Sequence, residues 1–180
     1  MTLRLTTLLI LLLIAVGGSG CGVVRSSEPV LEKVSENGSF KIKVSSLGAS
    51  SMLPFSPYSY RVDTSNDDGK WKPVRQWSQD DPWDLSEIDV KVLNPTIGYV
   101  FNVTDYDVSV DGGASWKRFN VYEALRKEHL SSRGWPRVDV HADGSGSIYL
   151  QDYKDKNGAR QTVFVTNDFG QTWNVNPAIS

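Results

Sequence analysis

Two stretches of this 180-residue chain, their third residues 57 positions apart, carry the same eight-residue skeleton. Ser109-Val110-Asp111-Gly112-Gly113-Ala114-Ser115-Trp116 and Thr166-Asn167-Asp168-Phe169-Gly170-Gln171-Thr172-Trp173 both read Ser/Thr-x-Asp-x-Gly-x-Ser/Thr-Trp. Each specified residue suits a tight bend between strands. The carboxylate accepts hydrogen bonds from the bend's own amides, the glycine takes a positive φ, and the indole packs back beneath the turn. A third copy, Ser65-Asn66-Asp67-Asp68-Gly69-Lys70-Trp71, keeps the Ser, Asp, Gly and Trp but is one residue short before the Trp. Repetition at this spacing implies a chain built from similar supersecondary units.

The residues between these turns are strand-like. Phe40-Lys41-Ile42-Lys43-Val44 and Ile88-Asp89-Val90-Lys91-Val92 alternate apolar and polar, and 97–103, 106–110, 147–151 and 162–166 are further short runs rich in β-branched and aromatic residues. If each turn joins the third and fourth strands of a four-stranded unit, the second unit has strands near 88–93, 97–103, 105–110 and 116–121. The third then has strands near 137–142, 147–152, 161–166 and 173–176. Residues 121–130 are the one helical candidate, with Tyr122, Leu125 and Leu130 on one stripe before Gly134 and Pro136, and read as a short surface insertion.

These octapeptides resemble the Asp-box, or bacterial neuraminidase repeat, of β-propellers. The resemblance implies an all-β, antiparallel, incomplete propeller-like assembly of about three Asp-box sheet units with one short inserted helix, since a complete six-bladed ring does not fit in this length. It also implies an architectural role for Ser109, Asp111, Gly113, Ser115, Trp116, Thr166, Asp168, Gly170, Thr172 and Trp173. A sialidase-like enzyme would need an arginine cluster and a Tyr/Glu nucleophile pair besides the boxes, and no Phe-Arg-Ile-Pro-like motif is present. No catalytic residue is assigned, and the chain reads as a non-enzyme.

The N-terminal residues carry an address. Arg4 is the only charge before an apolar run at 8–16, which is followed by Gly17-Gly18-Ser19-Gly20 and then Cys21, the single cysteine. Nine apolar residues rise only about 13 Å as a helix against a hydrocarbon core of about 30 Å, so the pattern is that of a cleaved export signal. It resembles a bacterial lipoprotein signal, in which this cysteine becomes the lipid-modified first residue; Gly18 stands where that family most often has Leu. The implied organisation is a signal peptide at 1–20, a lipidated tether at 21–34 and one β-rich domain at 35–180. Gly22 in place of Asp implies, by resemblance to enterobacterial sorting rules, the periplasmic face of the outer membrane.

Charge and composition narrow the function further. Nineteen Lys and Arg against 21 Asp and Glu provide no positive field for nucleic acid, so no nucleic-acid partner is expected. One cysteine and two histidines exclude a disulfide framework and a Cys/His zinc site. His129, His141 and the Asp143-Gly144-Ser145-Gly146 stretch read as structural, the last as a hairpin turn rather than a calcium loop. Neither metal nor cofactor is expected. Two segments look like protein-binding surface: Trp77-Ser78-Gln79-Asp80-Asp81-Pro82-Trp83-Asp84, with Trp77, Asp80, Asp81 and Trp83 as contacts, and Arg133-Gly134-Trp135-Pro136-Arg137, with Arg133 and Trp135. Aromatic residues anchor interfaces and acids steer basic partners. Small lipoproteins with degenerate Asp-boxes are similar to immunity proteins of type VI secretion lipase effectors, which implies a membrane-tethered module that masks a toxin. Two alternatives stand beside that expectation: an assembly factor resembling the Asp-box propeller lipoproteins of photosystem II, and a sialidase-like carbohydrate-active module.

Overall fold

The structure, a computed structural model, describes residues 31–49, 57–66, 69–80, 85–130, 134–154 and 160–179. Strand-forming runs separated by tight turns fold back on their neighbours, and the result among the described residues is three antiparallel four-stranded sheets, not closed on one another. Sheet one holds β1 (Leu31–Asn37), β2 (Phe40–Ala49), β3 (Tyr58–Ser65) and β4 (Lys72–Gln79). Sheet two holds β5 (Asp89–Asn94), β6 (Ile97–Phe101), β7 (Asp105–Ser109) and β8 (Lys117–Asn120). Sheet three holds β9 (Pro136–Val140), β10 (Gly146–Lys154), β11 (Arg160–Thr166) and β12 (Asn174–Val175). Each sheet is a simple meander, and all three octapeptide copies lie between a third and a fourth strand, where the spacing predicts them. The first strand reaches further back than composition suggests: β1 starts at Leu31 and pairs Leu31 with Ser46, inside the 21–34 stretch read as tether.

Sheet two is the centre of the molecule because its strands carry apolar residues on both faces. Val90, Val92 and Val100 pack with Phe40, Ile42, Val44, Tyr60 and Val62 of sheet one. On the opposite face Tyr99, Phe101, Tyr106 and Val108 pack with Val138, Val140, Ile148, Leu150 and Phe164 of sheet three. Consecutive residues on β6, Tyr99, Val100 and Phe101, thus serve two different cores, as the two-residue period of a strand requires. Gly98 permits the close approach of sheet one: a Cβ there would meet Ile42 Cδ1 and stand 3.0 Å from Phe40 Cε1.

The one α-helix among the described residues, α1 (Val121–Lys127), leaves β8 directly. It is not the surface insertion its length suggests. Val121 and Leu125, one turn apart, are fully buried in the core between sheets two and three, worth about 1.5–3 kcal/mol each. The Asn120 side chain caps its first turn by accepting from the Glu123 amide at 2.8 Å. At the far end Leu130 N donates to Leu125 O and His129 N to Arg126 O, with His129 left-handed at φ 55°. That is a Schellman closure with histidine in the position that favours glycine, so the helix ends before Gly134 and Pro136 are reached. Among the described residues no helix is long and apolar enough to cross a membrane.

Candidate functional site

The two intact octapeptides form the same bond network. In the β7–β8 turn Ser109 Oγ donates to Asp111 Oδ1 at 2.9 Å and accepts from Gly113 N at 2.8 Å. Asp111 in turn accepts from the Ser115 amide at 2.9 Å and the Ser115 hydroxyl at 2.6 Å. The β11–β12 turn repeats this: Thr166 Oγ1 donates to Asp168 Oδ1 at 2.8 Å, Gly170 N donates to Thr166 Oγ1 at 3.0 Å, and Thr172 donates to Asp168 through its amide at 2.9 Å and its hydroxyl at 2.6 Å. Donors from Ser115 hold the Asp111 carboxyl below its ordinary range. For Asp168 partial burial pushes upward, but the bonds from Thr172 and Thr166 outweigh it and the net shift is also downward. Asp111 and Asp168 sit in separate bends.

Each bend also docks on the sheet before it. Tyr106 of sheet two donates its hydroxyl to Phe169 O at 2.7 Å, and its ring meets Trp173 edge-on at 5.2 Å between centroids. Gly170 lies so close to that ring that a Cβ would stand 2.8 Å from Tyr106 Cζ and 2.9 Å from Trp173 Cζ2. Gly113 faces sheet one in the same way, with Phe40 Cε2 at 3.0 Å and Thr64 Oγ1 at 3.2 Å from a built Cβ. Gly69, in the shortened copy, has nothing within 4 Å. Among the described residues the box glycine is therefore an inter-sheet contact at Gly113 and Gly170 and an open turn at Gly69.

A second polar element joins sheets one and two. Asp105 and Asp107 alternate on β7 and face sheet one, where Arg75 of β4 donates to both carboxylates. Arg118 Nε reaches Asp107 Oδ1 at 2.7 Å and Asn120 Nδ2 reaches Asp105 Oδ1 at 2.7 Å. Asn102 Oδ1 accepts from the Asp105 amide at 2.7 Å. The Arg75 side chain is 13% exposed and the two aspartates 10% and 8%, so this ion cluster is largely desolvated, whereas Arg118 is half in solvent. Arg75 also lies over Trp77, which stacks on Tyr60 with centroids 5.3 Å apart.

The opposite end of the sheets carries a cleft. Strand direction puts the octapeptide bends at one end and the starts of β5 and β9 at the other. There, a cleft of about 210 Å³ opens between sheets two and three. Ser86, Glu87 and Asp89 lead into β5 along it, and Phe101 closes β6 beside them. Arg137, Val138 and Tyr149 contribute from sheet three. Asp89 Oδ2 accepts from the Tyr99 hydroxyl at 3.0 Å; burial, together with that carboxylate, pushes the Tyr99 hydroxyl well above its ordinary pKa and keeps it a donor.

The surface residues singled out from sequence are placed unevenly. Trp77 is part-buried and packed, not presented. Asp80 is exposed just beyond β4, and Trp135 is 51% exposed two residues before Arg137 of the cleft. Cys21, Asp81, Trp83 and Arg133 lie outside the described residues. Asp143 accepts from the Ser145 amide at 3.0 Å and hydroxyl at 2.7 Å in the β9–β10 hairpin, as a turn aspartate. His141 stands 3.7 Å from Asp139, both exposed, and no group of three metal-ligating side chains occurs among the described residues. Sequence reading missed the ion cluster and the cleft. The signal for the first was Asp105-Tyr106-Asp107, two carboxylates on one face of a strand; the second spreads over four strand ends and has no local signature. No protein family, curated protein or solved structure matches this chain.

Proposed function

We propose that this protein is an exported, lipid-anchored, non-enzymatic module that binds another protein, and that its three sheets form an open propeller-like arc presenting the end opposite the octapeptide bends. One observation carries the reading: the hydroxyls and carboxylates of both octapeptides are consumed by their own turns, which leaves recognition to the other end. Convergence of the first strands supports the arc. Val92 N donates to Ser35 Oγ at 2.9 Å, Asn37 Nδ2 to Leu93 O at 3.3 Å, and Lys91 Nζ to Val140 O at 3.4 Å, so β1, β5 and β9 run close together.

The connections from β4 to β5 and from α1 to β9 both leave at that presented end; their sequences include Asp80, Asp81 and Trp83 in one case and Arg133 and Trp135 in the other, while Trp77 lies within β4 and packs on Tyr60. A rigid scaffold holding aromatic and charged side chains at one end suits occlusion of a partner's catalytic cleft, with affinity concentrated in a few anchors. The partner we assign is a secreted effector of the type VI lipase kind, and the lipid on Cys21 would hold the inhibitor at the outer membrane where such a toxin acts. Co-purification of the chain with an effector encoded beside its gene tests this, and no binding at micromolar concentration rejects the pairing. Labelling with radioactive palmitate, lost in Cys21→Ala, tests the anchor. Trp135→Ala should weaken the complex by about 2 kcal/mol.

A further inference from the structure

The geometry points to the cleft between sheets two and three as the seat of an arginine side chain supplied by the partner protein, an inference that rests on the protein-binding reading above. Glu87, the last residue of the one-turn 3-10 helix Leu85–Glu87, and Asp89, the first of β5, both line the cleft, while Ile88 between them is wholly buried in the other core. Tyr99 fixes the Asp89 carboxylate through its hydroxyl. Tyr149, part-exposed, adds aromatic surface, with Phe101 and Val138 buried behind it. Among the described residues Arg137 is the single cation of the lining, so two carboxylates less one guanidinium leave one net negative charge there.

These features select the occupant. At about 210 Å³ the cleft is smaller than the usual range for drug-sized ligands, about 300–1,000 Å³, and suits one long side chain. A guanidinium pairs with carboxylates through its planar fork and stacks on aromatic faces, whereas an ammonium does only the first well. Asp80, exposed beyond β4, and Trp135, exposed ahead of β9, stand at the same end as an acid to steer a basic loop and a ring to cover it. The two intact octapeptides offer no such pairing, because Asp111 and Asp168 are already bonded within their own turns.

The test uses the whole purified chain and a probe in place of the partner. Acetyl-Gly-Arg-Gly-amide is titrated and followed by amide shifts in ¹H–¹⁵N spectra, with the Lys and Glu counterparts as controls. The expected result is saturable binding with shifts centred on Glu87, Asp89, Phe101, Val138 and Tyr149, weaker binding of the Lys peptide and none of the Glu peptide. Glu87→Gln should weaken the Arg peptide about tenfold, the loss of one charge-assisted contact. Arg137→Gln should tighten it, since the net charge of the lining becomes more negative. Absence of saturation up to about 50 mM, equal binding of the Glu peptide, or indifference to both substitutions overturns the inference. The parent reading fails separately: an effector that co-purifies while the cleft ignores arginine retains it, and a cleft that takes arginine without any co-purifying effector rejects the effector assignment alone.

Discussion

Replacing Gly170 by alanine separates two views of the octapeptide turn. If the bend only closes its own hairpin, the cost is that of a left-handed residue gaining a Cβ, about 1–2 kcal/mol at φ +82°. Docking adds two further terms. The new Cβ would overlap the Tyr106 ring, which is wholly buried and has no room to retreat, and would press on Trp173; overpacking of this kind costs about 1–3 kcal/mol. Relief by shifting the bend would break the 2.7 Å bond from the Tyr106 hydroxyl to Phe169 O, for about another 1 kcal/mol. The total expected is about 3–6 kcal/mol. Gly69→Ala is the internal control, because φ is +64° there and nothing lies within 4 Å; it should cost at most about 1 kcal/mol once the reduced freedom of the unfolded chain is counted. Gly113→Ala, against Phe40 and Thr64, should fall between them. Urea unfolding followed by tryptophan fluorescence gives all three values, and Tyr106→Phe isolates the hydroxyl. Equal costs for Gly170→Ala and Gly69→Ala would refute docking.

Other substitutions test the remaining elements. Arg75→Met leaves Asp105 and Asp107 desolvated without their shared cation and should destabilise by about 3–5 kcal/mol in chemical denaturation, whereas Arg118→Ala, whose side chain is 51% exposed, should cost under about 1 kcal/mol. His129→Gly should stabilise by about 1 kcal/mol, read as a higher thermal midpoint, because the left-handed position at the helix end strains a side chain that makes no other required contact in the closure. Asp111 and Asp168 have folded pKa values below the ordinary one, so each contributes stability that is full above about pH 4 and lost as pH falls through the lower folded value. The acid limb of a stability–pH curve should accordingly be shallower in the Asp111→Asn, Asp168→Asn double variant than in the wild type.

What the amino-acid order settled unaided is what depends on neighbours a few residues apart. The bonds of Ser109, Asp111 and Ser115, and of Thr166, Asp168 and Thr172, join residues two and four positions apart, so the bend is written in one octapeptide and its place between third and fourth strands follows from the strand runs on either side. The strands of sheets two and three were legible within a few residues for the same reason. Helix α1 shows where that reach ends: its apolar stripe reads as Tyr122, Leu125 and Leu130, but the wholly buried pair is Val121 and Leu125, because the surface they bury against is supplied by two sheets and nothing within the helix says where it lies. Alternation along β7 puts Asp105 and Asp107 on one face without saying that Arg75, thirty residues upstream of the nearer one, would meet them. The glycines at 113 and 170 read as turn formers and became inter-sheet contacts only when Phe40 and Tyr106 were packed against them. Strand periodicity divides side chains between two faces, but which sheet each face meets is decided by packing across long sequence separation, and the docked bends, the ion cluster and the cleft all belong to that second kind of information.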